Sequence, residues 1–466
     1  MIFSSFEFAL LFLPIAAGVF WRLRAVSRCG ERLSLVWLVV ASWFFYGWWK
    51  VDFLPVLLGS IVGNLLLSRH LGRPGRGWLL VAGVVANLLA LGYFKYRGFV
   101  LEQIDGLLAT NLAALAGTLV LPLGISFFTF QQIAYLVDVH RGEGPRSGFW
   151  DYALFISFFP QLIAGPIVHH REMMPQFAAL AQRLTAHRDV AVGIYVFAIG
   201  LSKKVLLADT FGIWANAGYQ SPDALSMAGS WVATLSYTLQ IYFDFSGYCD
   251  MATGAARMFG IRLPDNFASP YKARSVRAFW RRWHITLGRW LRDYLYIPLG
   301  GNRHGRSREL LNLVVTFVLG GFWHGANWTF VIWGFLHGLA LVVERVSAGW
   351  RLRLPPVAAG LAVFAFVHLT WVFFRADSVG DACIVLRAMV GFGEGGGLPV
   401  LGVDGWKLGL LGLGLGIVWL APNSLQMRER FRPDLRRWLF ALLLVEASLV
   451  RLCFVDNYSE FLYFDF

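Results

Sequence analysis

The chain has 466 residues, 57% of them apolar, 16% aromatic and 15% charged, with 20 tryptophans and a mean hydropathy of +0.57. That mix excludes an ordinary soluble domain and predicts an all-α, multi-pass membrane protein, a single integral domain over residues 1–466. In a soluble protein the net charge of +13 would suggest nucleic acid, but here the basic residues fall in short loops between apolar stretches; the bilayer is the expected partner and nucleic acid is not.

Residues 1–8 lack the basic n-region and cleavage site of a signal peptide, so 6–21 reads as an uncleaved first span. Arg22, Arg24, Arg28 and Arg32 follow, which places the N-terminus outside. Residues 33–49 cross back and 53–67 return to a second basic loop at Arg69, Arg73 and Arg76. Gly59 and Gly63 form a small-xxx-small pair suited to close helix contact.

Residues 78–94 cross outward and 119–137 inward, reaching a basic loop that includes His140, Arg141 and Arg146. The next apolar segment, 152–168, contains Pro160, Gly165 and Pro166 and ends in another basic stretch, His169-His170-Arg171. Basic residues at both ends favour a broken, re-entrant segment over a full span. Residues 190–207 cross outward, interrupted at Lys203-Lys204, and 231–245 cross inward. Asp244 and Asp250 lie at membrane depth and need partners, for which the following arginines are the nearest candidates by composition.

Residues 262–308 are the most basic and least hydrophobic stretch. Interleaved aromatics and arginines there predict short interfacial helices, rings at headgroup level and guanidinium groups toward water or phosphate. Residues 310–323 and 327–343 form an apolar pair with His324 at the break, and a helix rising 1.5 Å per residue from Arg308 carries that histidine deep into a core about 30 Å thick. Segments 357–373, 408–419 and 438–452 complete roughly eleven spans plus re-entrant and interfacial pieces, with the acidic residues Asp456, Glu460 and Asp465 outside.

Cys29, Cys249, Cys383 and Cys453 show no paired spacing, so neither disulfides nor a metal site are indicated. A GxGxxG match at 391–396 sits in a glycine-rich loop without the strand and helix of a dinucleotide fold. The residues that point to chemistry are His284 and, forty positions later, His324. Each by itself also fits a core histidine bonded to a backbone carbonyl, whereas a buried neutral imidazole is the form that accepts a proton.

The segments Phe279-Trp280-Arg281-Arg282-Trp283-His284 and Gly321-Phe322-Trp323-His324-Gly325-Ala326-Asn327 resemble the membrane-bound O-acyltransferase family. Further likeness, to the bacterial branch that includes the alginate O-acetylation protein, lies in Tyr46-Gly47-Trp48-Trp49, in 121–130, in 162–166, in 240–248 and in 290–302. The resemblance extends to Arg375 and weakens beyond it.

What it implies is a central tunnel in which His324 is the catalytic base and His284 a second catalytic residue that bonds the thioester carbonyl or fixes the donor. Arg281, Arg282, Arg289 and Lys272 become candidates for donor phosphates, and Trp323 and Asn327 for shaping the donor path. No bound cofactor is implied. The donor is expected to be acetyl-CoA from the cytoplasm, and the acceptor an extracytoplasmic polysaccharide, alginate foremost, reached directly or through a periplasmic acetyltransferase partner, in the bacterial inner membrane. The alternative from the residues alone is a polysaccharide or lipid transporter with no acyl-transfer chemistry.

Overall fold

The computed structural model describes residues 1–26, 30–71, 75–117, 119–143, 148–180, 187–347, 354–393, 401–402, 404–454 and 461–462, among which there is no β-strand. Arg28, Cys29, Arg73, Arg146, Asp456, Glu460, Asp465 and the second half of the GxGxxG match lie outside the described residues. Among the described residues, six helical runs are long and apolar enough to cross a membrane: Glu7–Ala25, Val51–Leu71, Gly77–Leu108, His187–Gln220, Trp328–Ser347 and Pro356–Arg375. Roughly eleven spans are expected from the sequence; Gly405–Leu420 is a further apolar helix, shorter at 16 residues.

Contacts group the chain into two compact units, Met1–Phe197 with Cys249–Pro264, and Ala198–Tyr248 with Asp265–Phe466. In the first, a π-helical turn (Glu7–Phe12) leads into α1 (Leu13–Val26), followed by α2 (Gly30–Trp49), α3 (Leu54–Leu71) and α4 (Gly77–Leu91). A π turn at Gly92–Tyr96 continues α4 into α5 (Arg97–Leu108), and α6 (Leu112–Ala116), α7 (Ile125–His140), α8 (Phe149–Ser157), α9 (Phe159–Leu162), α10 (His170–Leu180) and the start of α11 (His187–Ser202) complete the order. The inward span expected from residue 119 becomes helical only at Ile125, because Pro122 and the left-handed Gly124 (φ 69°) precede it.

The break expected within 152–168 is present. The segment breaks at Phe158 into α8 and α9, and side chains take up backbone groups there: Phe159 N–H donates to Ser42 Oγ (3.1 Å) and Gln161 Nε2 to the Phe155 carbonyl (2.6 Å). Buried irregular backbone is tolerated at membrane depth only on those terms. Another polar cluster, Ser60, Asn64, Asn87 and Gln132, ties α3, α4 and α7 together.

In the second unit, α11 continues through a π turn at Lys203–Ala208 into α12 (Asp209–Gln220), and α13 (Met227–Met258) is a single helix of 32 residues. The span expected to end at Phe245 therefore runs on to Met258. Two short helices follow, α14 (Val276–Trp280) and α15 (Ile285–Leu291), then α16 (Arg306–His324), α17 (Trp328–Ser347), α18 (Pro356–Arg375), α19 (Val379–Met389), α20 (Gly405–Leu420), α21 (Ser424–Glu429) and α22 (Leu435–Phe454).

Helices α16 and α17 pack most closely, and glycine is the cause. A Cβ at Gly321 would run into the Phe330 carbonyl oxygen, and one at Gly334 into the Phe317 carbonyl oxygen. Lipid tails are as apolar as leucine, so such pairs gain from dispersion at short range rather than from expelling water.

Candidate active site

His284 and His324 both belong to the second unit. His284 precedes α15 in the left-handed region, φ 43° and ψ 53°, a conformation that costs a non-glycine residue about 1–2 kcal/mol. Asn266 holds that turn: its carbonyl accepts from Ile285 N–H (3.1 Å), and its Oδ1 accepts from the Thr286 N–H (3.1 Å) and hydroxyl (2.7 Å). The His284 ring is fully buried, edge-on to Phe245 at 4.7 Å. His284 lies in a segment between spanning helices, and burial pushes its imidazole down to about 3, so the ring is neutral at physiological pH.

His324 is the last residue of α16 and is 3% exposed. The chain leaves it through an extended Gly325, where a Cβ would strike the Phe330 ring. Around His324 stand Trp323 (5.0 Å between ring centroids), Phe374 (5.1 Å) and Trp333 (5.3 Å). Its ring centroid is 6.4 Å from that of His284, a separation that one small acyl group can span. Trp333 stacks on Trp371, which meets Trp283, so a tryptophan wall backs the pair. Each such aromatic contact contributes about 0.5–1.5 kcal/mol beyond area burial.

The other site residues expected from sequence divide by position. Trp323 lies 6.5 Å from the His284 ring as well as beside His324, so it does line the pair. Asn327 has a framework role: Nδ2 donates to the Asp377 carbonyl (2.7 Å), and Oδ1 accepts from Thr329 N–H (3.0 Å) at the start of α17. Arg281 is exposed and Arg282 half-buried, and neither forms an ion pair among the described residues. Lys272 Nζ donates to the Ala421 carbonyl (2.8 Å), and Arg289 is half-buried in α15. Two rings of this segment, Phe279 and Trp283, are buried against Tyr271, Trp371 and His337.

The sequence reading missed two more histidines. His337 Nδ1 accepts from the Trp280 indole N–H (3.2 Å); an indole only donates, so the His337 proton sits on Nε2, facing Thr370 Oγ1 at 3.0 Å. His368 pairs with Thr238 (2.8 Å). Histidines inside apolar helices were the signal for both.

Asp244 is paired, though with a lysine rather than an arginine. Lys204 Nζ lies 2.8 Å from both Asp244 and Asp209, and Asp244 Oδ2 accepts from Leu462 N–H (3.0 Å). Two of the arginines after residue 250 are paired elsewhere: Arg257 with Asp189 and Arg277 with Glu344.

The model of the membrane-bound O-acyltransferase family matches residues 142–374, a stretch that contains both His284 and His324. The chain belongs to the membrane-bound O-acyltransferase family. Among members with described activities, a peptidoglycan O-acetyltransferase of Helicobacter pylori is 45% identical over 425 residues, covering 84% of this chain and 80% of that protein. A probable alginate O-acetylase of Pseudomonas aeruginosa is 40% identical over 407 residues (84% and 75%), and a teichoic acid D-alanyltransferase of Streptococcus thermophilus is 25% identical over 345 residues (71% and 79%). As a membrane-bound O-acyltransferase, this multi-pass protein is an enzyme, which sets aside the transporter without chemistry.

Proposed function

We propose that this protein transfers an acetyl group from a cytoplasmic thioester, acetyl-CoA, to a hydroxyl of an exported polysaccharide, directly or through a periplasmic acetyltransferase partner, in the bacterial inner membrane with the N-terminus outside. The observation that carries this reading is the pair of buried imidazoles, His284 and His324, at 6.4 Å inside an aromatic shell.

A sugar hydroxyl is a poor nucleophile and a thioester a moderate electrophile, so the site has to take a proton and align two groups. His324 takes the hydroxyl proton as the C–O bond forms, and returns it to the departing thiolate as the C–S bond breaks. His284 steadies the thioester carbonyl. Arg281 and Arg282, without ion-pair partners among the described residues, suit the donor's phosphates.

Two kinds of relative support the acceptor class. Those at 45% and 40% identity are named for acetylation of peptidoglycan and alginate, and the relative named for D-alanyl transfer to teichoic acid is more distant at 25%. Alginate is the polymer proposed on the sequence motifs, and peptidoglycan stands beside it on identity.

His324→Ala is expected to abolish ester formation on the polymer while the protein stays at normal level in the membrane. Base-labile acetate on purified polysaccharide, measured with a membrane immunoblot, checks both. Full acetylation in that variant would end the proposal.

A further inference from the structure

A second polar site stands close to His324 in the same unit, at the C-terminal end of α18. Phe374 packs on the His324 ring, and the next residue is Arg375. Its guanidinium lies over the Tyr219 ring (5.3 Å to the centroid), and one amino group donates to Asn216 Oδ1 (3.0 Å). The other amino group is 3.7 Å from Asp377, whose side chain is 82% exposed. Beside Tyr219 stands Tyr237, with ring centroids 5.9 Å apart. Tyr219 is 5% exposed and Tyr237 0%, and neither hydroxyl has a hydrogen-bond partner among the described residues.

Chemistry selects the missing partner. A guanidinium offers only donors and the two hydroxyls add a donor each; with Asn216 Oδ1 already occupied and the Asp377 carboxylate at 3.7 Å, beyond hydrogen-bond length, the cluster holds more donors than engaged acceptors. Two buried hydroxyls without a partner among the described residues are costly unless a ligand or water answers them. A carboxylate accepts at four sites and matches the edge of a guanidinium whose face is covered by a ring. Basic-loop counting also puts the turn between α12 and α13, and the C-terminal end of α18, on the extracytoplasmic side.

We propose that Arg375, Tyr219 and Tyr237 form an acceptor subsite that binds the carboxylate of an acidic sugar and so brings a neighbouring hydroxyl to His324. This rests on the reading of the acceptor as an exported polysaccharide. Asp377 is the internal competitor that a substrate carboxylate replaces.

The test uses the full-length protein in detergent, with a uronic-acid oligosaccharide, its methyl ester and inorganic phosphate as probes. Equilibrium binding and acetyl transfer are read separately, so failure of the acetyl-transfer reading is distinguishable from failure of this site. Arg375→Gln is expected to weaken uronate binding about tenfold and raise the acceptor KM to match, with the donor KM unchanged. Asp377→Asn is expected to tighten it. The methyl ester is expected to bind weakly to the parent protein and to lose nothing more in Arg375→Gln, whereas a merely structural arginine would impair both sugars alike. Should Arg375→Gln fail to accumulate, Tyr219→Phe, which keeps the ring under the guanidinium, serves instead and is expected to weaken uronate severalfold. Equal binding of uronate and its ester by the parent protein, or binding of phosphate without uronate, would overturn the assignment.

Discussion

His284 combines three properties that seldom meet in one residue: a left-handed backbone, complete burial and a neighbouring imidazole. Asparagine tolerates that backbone far better than alanine, so His284→Asn separates conformation from chemistry. The expected outcome is a normal membrane level with acetyl transfer reduced at least tenfold and the donor KM raised more than the acceptor KM; saturation curves for the two substrates check it. Protonation gives a second handle. The folded protein holds His284 neutral down to about 3, while the unfolded chain protonates near 6.5. The unfolded state therefore binds the extra proton first, so stability present above about pH 6.5 is lost as pH falls toward 3. Thermal unfolding in detergent between pH 7.5 and 5 is expected to show a steeper loss for the parent than for His284→Gln.

At the level of elements, charges and glycines decide what can be changed. Removing Lys204 leaves Asp244 and Asp209 without the ammonium that lies 2.8 Å from each, a loss of about 3–5 kcal/mol for a buried pair. Lys204→Met is accordingly expected to lower the thermal midpoint by several degrees, read by fluorescence-detected size exclusion after heating. The same element shows what a sequence can and cannot convey. Lys203-Lys204 marked the interruption of a span, and its form, a π turn that continues the helix to Gln220, depends on which carbonyls each N–H meets. Asp244 was legible as a buried acid needing a partner, but Lys204 lies forty residues earlier, and only the packing of α13 against that turn selects it over the nearer arginines. His324 was legible because glycines and tryptophans bracket it and because a helix of 19 residues from Arg306 ends on it. The role of Asn327 was not, since its partner, the Asp377 carbonyl, comes from a distant loop. Its two hydrogen bonds tie that loop to the start of α17.

On the scale of the whole molecule, the two units share the sequence unevenly. The first takes Met1–Phe197 and then, after an interval, Cys249–Pro264; the second owns the residues between. Helix α13 therefore divides at Tyr248 into a portion for each. Synthesis proceeds from the N-terminus at about 5–20 residues per second, and domains commonly fold as they emerge. Here the N-terminal unit has to wait: it lacks its last strip of core until Pro264 has left the ribosome, by which time a stretch of the later unit is already made. Chains arrested near residue 200 are expected to stay sensitive to protease across 1–197, and chains arrested well past 264 to gain protection there, which limited proteolysis of stalled complexes would read. A gene split between α12 and α13, at a turn that looks like a natural seam, would leave the first fragment unfinished until the second reached it in the same bilayer.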